Sequence, residues 1–427
     1  MRLADASNIE DLRRMAKARL PRLFFEFIDR GTEDEIALRN NRSAFDTIKL
    51  RPQVLVDVQQ RSTAIELFGK PQSMPVCITP TGIAGLLWHE GEIALAKAAA
   101  KAGIPFSLAT TSVTPMEEVA EKAGGRLWYQ LYMWPERRMS YEMVLRAEKA
   151  GFEALILTLD TVVTPNREYN RRNGYTSPFK FTPRNVSDVC MHPRWLFRTL
   201  MPYLMSGGMP QFQNYPAELV RKITEGAVDK KDLKNESLTW DDLKALRDMW
   251  PRILIAKGIL RPDDADRAVE CGADAILVSN HGGRNLDSTM APIDALPEIV
   301  AAIRGRVPVL VDSGFRRGSD VVKALALGAS AVALGRGTLY GTAAAGQPGA
   351  ERALAIFKEE ISRVMAFVGS PRIADLNRDL LRVKRDSFMA DSLARADAMR
   401  ALGPIAAPPA REATARSDAE PDYEAAS

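Results

Sequence analysis

Only three histidines occur in the chain, His89, His192 and His281, and the last stands inside residues 279–287, SNHGGRNLD. An apolar run ends there, and His281 is followed by Gly282, Gly283 and Arg284. A histidine can take a proton near neutral pH. The two glycines let the backbone turn tightly beside a ligand. An arginine can clamp a carboxylate through two parallel hydrogen bonds. A capped turn with a satisfied histidine is the plain alternative, and the company His281 keeps argues against it. A second pair of motifs, VDSGFRRGSD and LGRGTLYG, sets Asp312, Gly314, Arg316 and Arg317 after one apolar run and Gly335 and Arg336 after the next. Glycines and cations at successive run ends suit a phosphate, which loop amides, a helix N-terminus and nearby cations can hold together. Lys257 ends another run. Alone it fits a Schiff base, a charge partner or an exposed side chain.

The elements that must position these residues are legible as an alternation. Short β-rich runs fall at 75–80 (PVCITP), 105–110 (PFSLAT), 127–132 (LWYQLY), 154–160 (ALILTLD), 253–258 (ILIAKG), 275–281 (AILVSNH), 307–314 (VPVLVDSG) and 331–336 (AVALGR). Most are nearly continuously apolar, as parallel strands buried on both faces should be. Ala-rich amphipathic stretches such as GEIALAKAAAKAG and GSDVVKALALG lie between them. Eight strands alternating with helices predict an α/β fold, a (β/α)₈ TIM barrel. A doubly wound sheet is the runner-up, but the Gly-rich turn expected after its first strand is missing after Pro80. In a barrel, chemistry gathers at the C-terminal strand ends, which here carry Thr81-Gly82, Ala109-Thr110, Gln130 and Tyr132, Thr158 and Asp160, Lys257, 279–281, 312–314 and 335–336.

The barrel region is expected over 71–385, after an N-terminal helical extension at 1–70 in which Leu12, Met15, Ala16, Leu20 and Leu23 recur at helical spacing. A long insertion at about 171–239 follows strand 4. The Ala/Pro-rich acidic stretch 403–427 reads as a disordered tail. Within the insertion, 171–215 carries six cations against Asp188, interleaved with Trp195, Leu196, Phe197, Leu200, Met201, Tyr203 and Leu204. That mixture suits an anionic membrane surface and equally an active-site lid.

Composition narrows the classes further. The 427 residues are 46% hydrophobic and 26% charged, ordinary for a chain that buries a core. A formal charge of +4 is too small to argue for nucleic acid. Cys77, Cys190 and Cys271 lie far apart, fit no metal spacing and predict a reducing compartment, hence a cytoplasmic protein without a metal. Neither a secretory signal nor a run of 18 apolar residues is visible.

SNHGGRNLD resembles the active-site signature of the FMN-dependent (S)-2-hydroxy-acid dehydrogenases and oxidases, with Asn285 where glutamine is usual. VDSGFRRGSDVVKALALGA and LGRGTLYG resemble that family's FMN-phosphate region, and the likeness extends over about residues 5–385. KPQSMP, PTG, AAAKAGIPF and MHPRW bring the chain nearest to mandelate- and lactate-oxidising dehydrogenases. The resemblance implies oxidation of an (S)-2-hydroxy acid to the 2-oxo acid, with FMN as cofactor. It makes His281 the base, oriented by Asp160. Arg284 and Arg167 would hold the substrate carboxylate and Tyr132 its hydroxyl or keto oxygen. Lys257 would stabilise negative charge on the flavin, which Gln130, Thr158 and Ser279 would line and Pro80, Thr81 and Gly82 would cover. Asp312 would bind the ribityl chain and Gly314, Arg316, Gly335 and Arg336 the phosphate.

The resemblance also implies a homotetramer and, with the insertion, peripheral contact with the inner face of the cell membrane. Oxidases of the family often carry alanine at the position of Gly82, and with the insertion this favours electron transfer to a quinone or other membrane acceptor over oxygen. Two departures stand out. Phe27 occupies the place of a tyrosine that helps bind the carboxylate, with Phe24 and Phe25 beside it, and this leans toward a bulkier, more apolar substrate. Ala109 stands where many members have serine. Besides the dehydrogenase, an oxygen-using oxidase, a barrel isomerase or lyase acting on a phosphorylated substrate, and an FMN-binding module without turnover remain open.

Overall fold

The computed structural model describes residues 1–174, 182–225 and 235–401. The expected tail at 403–427 lies outside the described residues, as do 175–181 and 226–234 of the insertion. Eight parallel strands close into a barrel: β1 (Val76–Ile78), β2 (Phe106–Ala109), β3 (Leu127–Leu131), β4 (Ala154–Thr158), β5 (Ile253–Ile259), β6 (Ala275–Val278), β7 (Val309–Val311) and β8 (Ala331–Leu334). They are hydrogen-bonded in sequence order, and the ring is completed by β8 against β1, Val332 opposite Val76. Each expected strand is present.

Burial explains why these runs are continuously apolar. One alternate set of side chains, including Cys77, Ala154, Ile156, Ala275, Leu310 and Ala331, packs inward with Trp128. The other set, including Val76, Leu155, Leu254 and Val332, meets the surrounding helices. The N-terminal end of the barrel is closed by a hairpin of Ile65–Leu67 and Lys70–Gln72, where Arg126 bonds both Leu67 O and Glu153.

The N-terminal extension is not one helix. The apolar spacing from Leu12 to Leu23 spans α1 (Ile9–Arg19) and α2 (Arg22–Asp29), separated at Leu20-Pro21. Asn8 caps α1 by accepting from Asp11 N, and Pro21 cannot continue the α1 hydrogen-bond ladder. After α3 (Ile36–Ser43), Ile48–Leu50 pairs antiparallel with Leu381–Val383, joining the two ends of the described fold.

The insertion leaves β4 and carries helical turns at Pro183–Cys190, Pro193–Trp195, Leu196–Leu200 and Met201–Ser206. Three of its side chains, four residues apart, latch onto the body. Trp195 Nε1 donates to Leu86 O at 2.8 Å, Thr199 Oγ1 accepts from Arg19 at 2.8 Å, and Tyr203 Oη accepts from Glu90 N at 3.1 Å. Spacing of four keeps these three on one helical face. Phe197 and Met205, off that face, are 63% and 82% exposed. No described helix is long and apolar enough to cross a membrane.

Candidate active site

At the C-terminal strand ends a cavity of about 330 Å³ collects residues from all eight strand ends, from α2 and from the insertion. Among the predicted site residues, Pro80, Thr81, Gly82, Gln130, Tyr132, Thr158, Arg167, Lys257, His281, Arg284, Asp312, Gly314, Arg316, Gly335 and Arg336 all line it. Asp160 and Ser279 stand one step behind the wall. Asp160 bonds His281, while Ser279 accepts from Lys257 Nζ at 3.0 Å and from His281 N at 3.0 Å.

His281 has φ +58°, and Gly282 and Gly283 follow at +68° and +70°. A histidine in the left-handed region is strained, and such strain persists only where the surroundings over-determine it. Here Gly282 N donates to Ser313 Oγ, Gly283 N donates to Asn280 Oδ1, and Gly283 O accepts from Thr32 N. The buried Asn280 and Asn41 exchange reciprocal amide hydrogen bonds at 2.9 and 2.7 Å, tying this turn to α3. Asp287, at the end of the motif, accepts from Asp34 N and Ala37 N and anchors the start of α3.

The imidazole sits between two partners. Its Nδ1 is 3.1 Å from Asp160 Oδ1 and its Nε2 is 3.2 Å from Tyr132 Oη. Burial lowers the His281 pKa to about 4, with Lys257 and Arg167 adding repulsion and Asp160 opposing them. Burial works against the charge on Asp160 as well, but His281 and Lys257 hold its carboxyl well below the usual range. Asn285 donates to Asp160 O and to Thr161 Oγ1, both at 2.8 Å, and accepts from Arg167 at 3.3 Å. Lys257 is buried at the end of β5, 3.7 Å from Asp312. Burial opposes its charge, yet Asp312 and Asp160 together keep its pKa above the ordinary lysine value. A lysine held this firmly cationic is a poor Schiff-base nucleophile, which needs the neutral amine.

The two cations placed on different ligands by the sequence converge on one helix end. Arg284 donates to Phe27 O at 2.5 Å and Arg30 O at 3.1 Å, with its guanidinium 4.9 Å from the Phe27 ring centre. Arg336 donates to Ile28 O, Gly282 O and Arg30 O. Cations at a helix C-terminus meet its unpaired carbonyls and the negative end of its dipole. Of the three phenylalanines expected to shape the pocket, only Phe27 lines it. Phe24 instead packs on Trp195, ring centres 4.7 Å apart, and Phe25 lies under Arg13.

Ser313, at a strand end named by the sequence, lines the cavity too, whereas Thr111 and Phe212 escape sequence reasoning because they belong to loops without a signature.

The largely apolar cavity wall carries polar groups that a flavin nucleotide could complete. Gln130 Nε2 and Thr158 Oγ1 are buried on its wall with no hydrogen-bond partner among the described residues. Buried polar atoms are seldom left so unless another group completes them. Gly314, at φ +87°, passes so close to Asn41 O that a Cβ would lie 2.1 Å away.

The profile of the FMN-dependent dehydrogenase family matches residues 16–383. The chain belongs to that family. Its cofactor is FMN, and the enzyme is an FMN-dependent oxidoreductase. Within the family, this FMN-dependent dehydrogenase is 43% identical to the (S)-mandelate dehydrogenase of Pseudomonas putida, over 88% of its own length and 93% of that protein's. It is 39% identical to an L-lactate dehydrogenase of Vibrio cholerae, over 88% and 98%. A solved structure described as the monotopic membrane protein (S)-mandelate dehydrogenase superposes with a TM-score of 0.82 at 42% identity, covering 89% of this chain and all of that one.

Proposed function

We propose that this enzyme oxidises an (S)-2-hydroxy acid of mandelate or lactate type to the 2-oxo acid. One observation carries the reading: His281, oriented by Asp160 and meeting Tyr132, shares a cavity with Arg167 and Arg284 and with unpartnered polar groups suited to a flavin. Bound FMN supplies the two-electron acceptor. His281 Nε2 takes a proton from the substrate, for which its low pKa keeps the imidazole neutral and ready. Asp160 holds the imidazole by Nδ1 and stabilises it once protonated. Arg167 and Arg284 bind the carboxylate, and Tyr132 hydrogen-bonds the oxygen on C2. Gln130, Thr158 and the backbone of 80–82 would hold the ring system, with Lys257, itself held by Ser279, offsetting its negative charge. Asp312 would bind the ribityl chain, and Gly314, Arg316, Gly335 and Arg336 would hold the phosphate.

The structural division that fits this role is an extension at 1–70 that lends α2 and α3 to the site, a catalytic barrel over 71–385, and an insertion at about 171–239 whose Phe212 lines the cavity. Electrons pass from the enzyme to a quinone or similar membrane acceptor. The exposed residues of the insertion support peripheral attachment to a membrane; the inner face and a homotetramer are what the family resemblance adds. Anaerobic mixing of holoenzyme with (S)-mandelate and (S)-lactate tests the chemistry. Bleaching of flavin absorbance is expected with at least one, and no bleaching with either overturns the reading. Reoxidation by air as fast as by a quinone analogue would favour the oxidase reading instead.

A further inference from the structure

Among its described residues, the insertion reaches the cavity at Phe212, which lines it together with Phe27, Thr111 and the carboxylate-binding arginines. Trp195, Thr199 and Tyr203 latch onto the outside of the body instead, so an aromatic residue at the cavity wall needs its own account.

Its mounting is unusually firm for a loop. Gln213 N donates to Ser112 O at 3.1 Å, fixing the segment above the end of β2. Asn214 is fully buried, accepts from Met116 N and donates to Thr114 O, both at 2.9 Å. Arg146 donates to Gln213 O at 3.0 Å. Behind the ring lies a ladder of aromatics. Phe212 stacks on Tyr215 with centres 5.2 Å apart and planes 18° from parallel, and Tyr215 meets Trp134 edge-on at 5.7 Å. An aromatic held by backbone and side-chain hydrogen bonds and backed by further rings is a preorganised contact rather than a mobile flap.

The other groups on the substrate side are committed. Arg167 and Arg284 answer a carboxylate, Tyr132 and His281 the hydroxyl, and one face of Phe27 is covered by the Arg284 guanidinium. The substituent on C2 is left to the remaining apolar wall. We propose that Phe212 is a specificity-determining residue, a fixed aromatic shelf that favours 2-hydroxy acids bearing an aryl or large apolar group on C2. This deepens the proposed function and rests on it.

The test compares Phe212→Ala and Phe212→Leu with the parent holoenzyme. Two readouts are taken: kcat/KM for (S)-mandelate and (S)-lactate with a soluble dye, and the affinity of the unreactive acids phenylacetate and propionate, followed by perturbation of flavin absorbance. Phe212→Ala is expected to lower kcat/KM for mandelate about 10- to 100-fold, the range set by losing apolar contact in a pocket, and to weaken phenylacetate binding in step. Lactate turnover and propionate binding should move less than about threefold. Phe212→Leu should fall between. Parallel losses for both acids, or no loss for mandelate, overturn the proposal. Should the alanine variant lose its flavin, the leucine variant carries the same comparison. Should the parent oxidise neither acid, the proposed function fails, while phenylacetate against propionate still decides the role of Phe212.

Discussion

Tyr132 Oη and His281 Nε2 lie 3.2 Å apart, on the imidazole edge opposite the one that meets Asp160. The ring is thus held at one nitrogen by a carboxylate and presents the other to a phenol inside the cavity. Burial raises the Tyr132 pKa, so the phenol stays protonated and can donate to a substrate oxygen while the imidazole accepts. A hydroxyl reaching this pair would meet a base and a donor together.

His281→Gln is therefore expected to keep FMN and fold normally while losing turnover by about 10²–10⁴-fold, the usual cost of removing a general base. Stopped-flow reduction of the flavin by substrate measures it. Retention of more than a tenth of the parental rate would remove His281 from its role.

The pH profile follows from the same burial. The folded His281 pKa lies near 4, below the ordinary value of about 6.5. The neutral base persists as pH falls, so the acid limb of kcat/KM should sit well below 6 rather than near 6.5. Asp160→Asn removes the interaction that raises the His281 pKa, moving the limb lower still while slowing the reaction. Stability has the matching sign. Between the two values the unfolded chain binds more protons, so stability is full above about pH 6.5 and falls as pH drops toward 4. Denaturant titrations at pH 7, 5.5 and 4.5 read this directly.

Gly82 is tested by crowding. A Cβ there would lie 2.2 Å from Thr111 Oγ1 and 3.3 Å from Thr111 Cβ. Turning the hydroxyl relieves the first contact but not the second. Gly82→Ala should cost about 1–3 kcal/mol of stability, the range for overpacking, and Thr111→Ala, which removes Oγ1 and keeps Cβ, should recover only part of it. Melting temperatures of the two single variants and the double variant give the coupling; additive losses would show that the contact is not felt.

The exposed face of the insertion makes a separate prediction. Replacing Phe197, Leu204 and Met205 by serine should lower partition into anionic vesicles about a hundredfold or more, since each buried apolar side chain contributes on the order of 1.5–3 kcal/mol. Trp195, Thr199 and Tyr203 stay in place, so flavin content and dye-linked turnover should hold. Deleting the whole segment would be a poorer test, because it strips those latches from Leu86, Arg19 and Glu90. Unchanged partition would move the membrane contact elsewhere.

The barrel was legible because strands buried on both faces write themselves as unbroken apolar runs, and the polar residues closing each run fell at the chemical end. His281, Lys257 and Asp312 could be found in this way. The contacts that complete the site could not. Arg284 and Arg336 read as ligands for carboxylate and phosphate, and no local pattern discloses that both also hold the carbonyls ending α2. Phe24 and Phe27 are three positions apart in similar company, yet one packs on Trp195 and the other lines the cavity. Only the docking angle of α2 separates them. Phe212 was illegible for the same reason, its place being set by Asn214 and the loop after β2.

The hold of Arg336 on Ile28 spans 308 positions of chain. A ribosome working at roughly 5–20 residues per second needs roughly 15 to 60 seconds to deliver the arginine after the helix it secures. Until then the carbonyl of Ile28 lacks its partner, and a nascent chain cannot assemble the flavin pocket. The pocket is thus complete only once the last two strands, with Asp312, Gly314, Arg316, Gly335 and Arg336 at their ends, have been made.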